Sequence, residues 1–503
     1  SVRDYGAKGD GVTDDTAAWN SWVAASGSKV ILDGSYLVSG VVKFYETPTF
    51  VNTTDNNHAA GYLALESNAT GENNTAYGRE ALRKTNGILP LGSNNVAVGF
   101  QALQGNTEGY RNVAVGHQAL FSQTGNLTTG NSNNAIGYQA LFHNTLGKDN
   151  TALGYLSMFF NTEGGGNTAA GYRTLYNNVG VADTTGSFNT AIGYESMLDN
   201  TQGNSGTAYG WRSLFSNTTG TRNTAIGQES LRDNVVGTNN VAVGYKASAA
   251  SIANDTTAVG YQAMLVNTAS SNTAVGKDAM LSNTSGAANT ALGHQSLSNN
   301  TTTSFCTAVG RGALFASAGN NNTALGYNAL NANSTFFNST GLGSNTAVSA
   351  SNQVQLGDSA TTTYVYGTVQ NRSDFRDKTN IQDTELGIDF IMGLRPVSGR
   401  WDLREDYQEV TEDGKVVNHA QDGSKARNRR HQWLIAQEVE ALCGKLNVDF
   451  GGLQHHSKSG GDDVYSLGYD EFIPPIVKSV QECWGKLSEL ESRISILEVI
   501  NKN

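Results

Sequence analysis

The chain of 503 residues is long enough for three or four ordinary domains, yet only 15% of it is charged, against roughly 25% in a typical soluble domain. Glycine supplies 58 residues, asparagine 53 and proline 5, but a hydrophobic content of 38% excludes a disordered low-complexity filament. The net charge of −11 and pI near 5.2 provide no basic face for displacing counterions, so no nucleic-acid partner is expected.

No stretch approaches the roughly 18 apolar residues of a membrane helix, and no basic-then-apolar leader opens the sequence, so no membrane insertion is expected. Cys306, Cys443 and Cys483 are too scattered for a disulfide framework or a zinc site, and no cofactor or metal is expected. Charge marks the main boundary: residues 1–370 carry 37 charged side chains, and the much shorter segment 371–503 carries 40.

Residues 1–50 form the first element. Thr13, Asp14 or Asp15 is expected to cap a helix running to about Ala25, followed by strands at 29–32 and 35–38 around a turn at Gly34. The run Asp4-Tyr5-Gly6-Ala7-Lys8-Gly9-Asp10-Gly11-Val12-Thr13-Asp14-Asp15 resembles the amino-terminal cap of pectate-lyase-like right-handed β-helices of phage tailspikes. Asp10, Asp14 and Asp15 are read as capping and turn residues rather than a glycosidase pair, and no catalytic residue is carried over from that resemblance.

A repeat fills residues 51–350. Aligned on its glycine it has sixteen copies, from Gly61 to Gly326, spaced by 16 or 17 residues in twelve of fifteen steps and by 21 or 22 in the others. Asparagine stands four residues before the glycine in thirteen copies, the exceptions being Gly206, Thr256 and Cys306. Leucine or methionine stands four residues after it in fifteen, the exception being Ser248, and an aliphatic such as Val98, Ile136 or Leu153 usually precedes it. Both apolar positions are expected to stack into a core ladder, because one repeat alone cannot bury such a face. The segment ending at the glycine reads as a short strand followed by a turn, and the asparagines as an amide ladder. So much Gly, Asn and Thr excludes helical hairpins. The expected fold is mainly β, a β-solenoid or β-roll with one coil per repeat.

Asn95-Val96-Ala97-Val98-Gly99, with its equivalents ending at Gly116 and Gly244, is similar to the repeat in the heads of trimeric autotransporter adhesins, which implies a trimeric β-roll. Similar repeats occur in phage fibres. Tyrosines after many repeat glycines, such as Tyr138, Tyr155 and Tyr172, are expected to pack within the solenoid or between subunits rather than to stack sugars.

Residues 351–371 read as a linker and 372–475 as a small α+β domain. Three motifs follow in order: Ser373-Asp374-Phe375-Arg376-Asp377-Lys378, Met392-Gly393-Leu394-Arg395-Pro396-Val397, and His431-Gln432-Trp433-Leu434-Ile435-Ala436-Gln437-Glu438. Together they resemble the carboxy-terminal intramolecular chaperone and self-cleaving peptidase domain of phage endosialidase tailspikes. That resemblance implies Ser373 as nucleophile, Lys378 as general base, the Arg372-Ser373 bond as the scissile one, and an assisting role for His431. Where the family has an apolar residue before the lysine this chain has Asp377, a carboxylate that favours the protonated amine and so opposes its use as a base. His455-His456 lacks a spaced third ligand and is not read as a metal site.

Residues 476–503 end the chain. Ile476, Val480, Cys483, Leu487, Leu490, Ile494 and Leu497 alternate by four and three residues, the seam of a short coiled coil. These readings lead to an expected homotrimeric tail fibre of a virion. Its expected partners are other phage tail proteins and a host surface glycan or outer-membrane protein. The competing expectations are a polysaccharide-depolymerising tailspike and a bacterial trimeric adhesin.

Overall fold

The computed structural model describes residues 56–501 except 68–70, 86–91, 125, 127, 181–183, 317–318, 332–334, 359–360, 367–372, 411–415 and 460–462, and before residue 56 only the strands Asp10–Asp14, Ser35–Leu37 and Val51–Asn52. The expected helix reaching Ala25 and the strand at 29–32 lie outside the described residues. Asp10 and Asp14 stand at the two ends of a strand paired parallel with Ser35–Leu37. The chain divides into two compact units, residues 1–348 with 354–362, and residues 349–353 with 363–503.

The first unit is a parallel β-solenoid. Each repeat contributes a three-residue strand, and like residues pair in register: Thr151, Thr168 and Thr190 stand in one row, and Ala152, Ala169 and Ala191 in the next. Parallel pairing runs from His58–Ala60 to Val354–Leu356. Two strands, Thr340–Leu342 and Val354–Leu356, therefore continue the ladder beyond the sixteenth repeat glycine, and the last of them lies in the segment expected to be a linker. Ser339 and Gln353 replace the asparagine that marks the repeat, which hid these coils from alignment.

Alternation along a strand decides which residues enter the core. The middle alanine points inward and is fully buried, as at Ala97, Ala135 and Ala152. Its two neighbours therefore point outward, so the aliphatics preceding the glycines do not form the core ladder expected of them. Val98, Ile136, Leu153, Ile226, Leu292 and Leu325 are 37–51% exposed. The other expected ladder is present: Leu103, Leu120, Leu141, Met158 and Leu175 are all fully buried, each burial contributing about 1.5–3 kcal/mol.

Reaching that core requires an uncommon backbone. All sixteen repeat glycines have φ of 127–140°, a conformation left to glycine, and a Cβ there would overlap the glycine carbonyl of the next coil. The buried leucines and methionines themselves are left-handed, as at Leu141 (φ 53°) and Met158 (φ 53°), at a cost of about 1–2 kcal/mol each. Hydrogen bonds to the next coil accompany that cost; Leu141 N, for example, donates to Ser157 O at 3.0 Å.

Two asparagine columns complete the interior. In the first, Asn150 Nδ2 donates to Gly164 O at 2.8 Å, and Asn150 Oδ1 accepts from the backbone N–H of Asn167 at 3.0 Å. This joins side chain to backbone from coil to coil, so the expected amide ladder exists in a mixed form. The second column was not foreseen: Asn161, Asn178, Asn200 and Asn217 each donate Nδ2 to Oδ1 of the asparagine before, at 2.6–2.8 Å.

The second unit is small and mixed. Helices α1 (Ile388–Gly393) and α2 (Ala436–Leu446) pack around Phe390, Val439, Cys443, Phe450 and Phe472, with Leu453 and Leu467 of one antiparallel strand pair against them, and two further antiparallel pairs complete the unit. Asn447 ends α2 in a left-handed cap (φ 53°). Helix α3 (Ile473–Asn501) begins three residues before the expected coiled coil, with Pro474 and Pro475 in its first turn, where proline is tolerated. Glu482 on α3 accepts from Ile388 N at 2.7 Å, placing a carboxylate at the start of α1.

Candidate functional site

The segment that opens the charge-rich part of the chain folds back on itself. Asp374 N-caps a short 3-10 turn, Phe375–Asp377, by accepting from Arg376 N at 2.9 Å. Its carboxylate also holds the Arg376 guanidinium, with Nη2 at 2.6 Å, and these bonds keep the Asp374 carboxyl below its ordinary value. Lys378 N closes the turn on Phe375 O at 3.1 Å. Reversal of the chain returns Lys378 over Ser373, and Lys378 Nζ donates to Ser373 Oγ at 2.6 Å. The two residues expected to form a dyad are therefore in contact, at the two ends of a six-residue loop and both exposed to solvent. Arg372, on the other side of the expected scissile bond, lies outside the described residues.

A serine that touches a lysine can be activated when the amine is neutral and takes the hydroxyl proton. The contact at 2.6 Å puts Nζ within reach of the hydroxyl proton. Removal from water favours the neutral form, and here both side chains are exposed. The dyad thus has the reach for chemistry without yet the surroundings for it.

His431 is placed elsewhere. It lies on the strand His431–Trp433, paired antiparallel with Val397–Gly399, and its ring stacks on Trp433 at 5.9 Å. Among the described residues no hydrogen bond or ring contact joins His431 to Ser373 or Lys378. The expected trio is not assembled, because the strand pairing commits His431 to an aromatic groove of about 830 Å³ shared with Trp401, Trp433, Tyr465 and Tyr469. Trp401 and Trp433 approach to 4.9 Å there.

His455 and His456 diverge. His455 stacks on Tyr465 at 3.9 Å and meets Asp463 at 3.2 Å, whereas His456 Nε2 meets Ser466 Oγ at 3.0 Å. Neighbouring Glu440 is held below its ordinary value, first by the hydrogen bond from Lys458 and then by that from Tyr465. No group of three potential metal ligands occurs among the described residues.

Two further surfaces bear on function. On the solenoid, the rings after the repeat glycines form a continuous stack, Phe100, His117, Tyr138, Tyr155, Tyr172 and Tyr194, with centroids 4.9–5.3 Å apart. The rings pack on one another yet remain about 40% exposed, as at Tyr138 and Tyr172. On α3, every apolar seam residue faces water in the single chain: Val480 is 63% exposed, Leu490 52%, Ile494 54% and Leu497 58%. Neither a scan of protein-family models nor a search of curated proteins finds a match to this chain.

Proposed function

We propose that this chain is the subunit of a homotrimeric phage tail fibre that attaches the virion to the host surface, with residues 372–475 acting as an intramolecular chaperone for assembly. The observation that carries the reading is the bare heptad seam of α3. Isolated apolar residues on a surface are ordinary, but a three-heptad stripe at coiled-coil spacing calls for partner helices. The exposed aliphatic row and the adjoining aromatic stack support the same conclusion, since they extend unburied apolar surface along the solenoid. Sedimentation equilibrium of the Ser373→Ala chain, which stays uncut, tests it: a species of three times about 53.2 kDa is expected, and a stable monomer at micromolar concentration refutes it.

Self-cleavage belongs to this reading as a step that follows assembly. In this step a neutral Lys378 amine takes the proton of Ser373 Oγ. The oxygen attacks the Arg372 carbonyl carbon, the Arg372–Ser373 amide bond breaks as the ester forms, and the proton passes to the released α-amine of Ser373. Water then hydrolyses the ester, leaving Arg372 with a free carboxylate.

The depolymerase reading has less support. Buried shaft carboxylates are committed to cations: Glu195 to Arg173 and Arg212, Glu229 to Arg232 and Lys246, and Glu80 to Arg79 and Arg83. The pairs of Glu195 and that of Glu229 with Lys246 join neighbouring coils, the others lie within one coil, and all three carboxylates are engaged with cations of the shaft itself.

A further inference from the structure

We propose that the shaft carries a groove for a neutral, extended polysaccharide, with His143, Phe160, Asn177 and Asp199 along one wall and Thr145, Thr162 and Thr201 along the other. The inference rests on the reading of the chain as an attachment fibre, and names the ligand class and the place where it is held.

The groove arises from the coil geometry. The sixth and eighth residues after the repeat glycine point outward, while the seventh, the second asparagine column, is buried between them. Over the coils from Gly116 to Gly210 these two rows enclose about 730 Å³, the size of a ligand site. With parallel strands spaced by ~4.8 Å, its length is about 24 Å, suited to a chain of several sugars rather than to one.

Composition at these positions departs from the repeat. Elsewhere the sixth residue is small, polar, charged or, at Val266, aliphatic; His143 and Phe160 are the two aromatic ones. They lie face to face at 5.2 Å with an interplanar angle of 3°. Phe142 and Phe159 meet them edge-on behind, at 4.8 and 4.7 Å. The back row is itself stacked at 5.3 Å, so the platform is held in place before any ligand arrives. A structural role for the repeat does not require rings at this point, because fourteen other coils close without them.

The polar groups narrow the ligand further. Thr145 Oγ1 donates to Thr162 O and Thr201 Oγ1 to Thr218 O, each at 3.1 Å, and Thr162 Oγ1 donates to Val179 O. Their protons are spent inside the protein, which leaves hydroxyl lone pairs to accept. Asn177 Nδ2 gives one of its two protons to Asp199 Oδ1 at 2.9 Å. Among the described residues no lysine or arginine lines the groove, and burial lowers the His143 pKa, favouring the neutral ring. A lining mainly of acceptors and flat rings without cations suits a ligand rich in hydroxyl donors and C–H faces and lacking negative charge. It disfavours acidic capsules, phosphorylated glycans and nucleic acid.

The test uses fluorescently labelled full-length protein on an array of neutral and anionic bacterial glycans, beside Phe160→Ser, Phe160→Tyr and, as a ring removed outside the groove, Phe315→Ser. Binding to one or more neutral linear glycans is expected. It should fall about tenfold or more in Phe160→Ser and persist in Phe160→Tyr and Phe315→Ser. Equal binding by wild type and Phe160→Ser, preference for anionic glycans, or no glycan binding at all overturns the proposal. Adsorption to a panel of bacterial cells separates the two levels. Cells bound equally by wild type and Phe160→Ser leave the attachment reading standing without this groove, and a wild type that binds no cell removes the attachment reading itself.

Discussion

Asn150 offers the sharpest test of what holds the shaft together. Its fully buried side chain donates to Gly164 O at 2.8 Å and accepts from Asn167 N at 3.0 Å. Replacement by alanine does not orphan Gly164 O, which keeps a second bond from Asn161 Nδ2 at 3.1 Å. It does orphan the Asn167 N–H, at about 1–3 kcal/mol, and the lost bond to Gly164 adds about 1 kcal/mol. With the small cavity included, Asn150→Ala should cost about 2–5 kcal/mol. Asn150→Asp adds a pH signature. The carboxylate still accepts from Asn167 but confronts Gly164 O with a second oxygen, so burial and repulsion raise its pKa above the ordinary 3.9 or so. The destabilisation is therefore absent below about pH 4 and grows as pH rises through the unfolded value toward the folded one. Guanidinium unfolding followed by far-UV circular dichroism at pH 4 and pH 7.5 measures it, with exposed Thr219→Ala as a control expected within about 0.5 kcal/mol of wild type. If Asn150→Asp were equally stable at both pH values, or Asn150→Ala no worse than Thr219→Ala, the asparagine column would not be a stabilising element.

Other outcomes follow from single contacts. Gly154→Ala, at φ 129° and with its Cβ in the Gly171 carbonyl, should cost more than about 4 kcal/mol and abolish soluble expression; a soluble variant with an unchanged melting temperature contradicts the packing. Glu80 is held below its ordinary 4.5 by the hydrogen bond from Gln101 at 2.9 Å and by Arg79 and Arg83. Its stabilisation is complete above pH 4.5 and is lost as pH falls through the lower folded value, so Glu80→Gln should flatten the acid limb of the melting curve. Wild-type protein after assembly should show a carboxy-terminal fragment of about 130 residues on a denaturing gel and Ser373→Ala only the full chain; identical full-length bands would show a retained domain. Ile494→Asn should weaken the trimer at least tenfold by sedimentation, since it sets an amide in a three-heptad seam.

How far the sequence discloses the fold depends on whether a feature is written in one coil or between coils. The glycine and asparagine columns are written in each coil, and both are where the alignment puts them. Burial is not: the aliphatic before most of the glycines outranks its alanine neighbour in hydropathy, yet strand alternation sends the alanine in and the aliphatic out. The left-handed leucines were equally hidden, because leucine carries no mark of positive φ. Motif order pairs Ser373 with Lys378, the two are in contact, and the Asp374 cap shows how the six residues from Ser373 to Lys378 fold back to bring them together. Motif order carries no distance, and in the single chain His431 pairs with Gly399 rather than meeting Ser373 or Lys378. The shaft groove had a readable sign, two rings at a position where the repeat elsewhere has none.

A stack of near-identical coils raises a question of register. A slip by one coil would keep every glycine and most asparagines in place, so the columns that build the shaft cannot align it. What can align it are the departures. Arg173, Glu195 and Arg212 form a charge ladder over three coils, with contacts of 3.6 and 2.8 Å that a slipped pairing would break. Gly206, which lacks the asparagine side chain, is matched by Met197, whose methyl lies 2.7 Å from where a Cβ would stand. A leucine brought there by a slip would leave that space empty and cost about 1–3 kcal/mol. Such marks act only after coils have stacked, whereas a trimer needs three chains in step from the start. On the trimeric reading, a separately folded unit ending in an unpaired heptad helix answers that need. Three copies of α3 can associate before any coil is committed, and each chain then enters the shaft from the same residue.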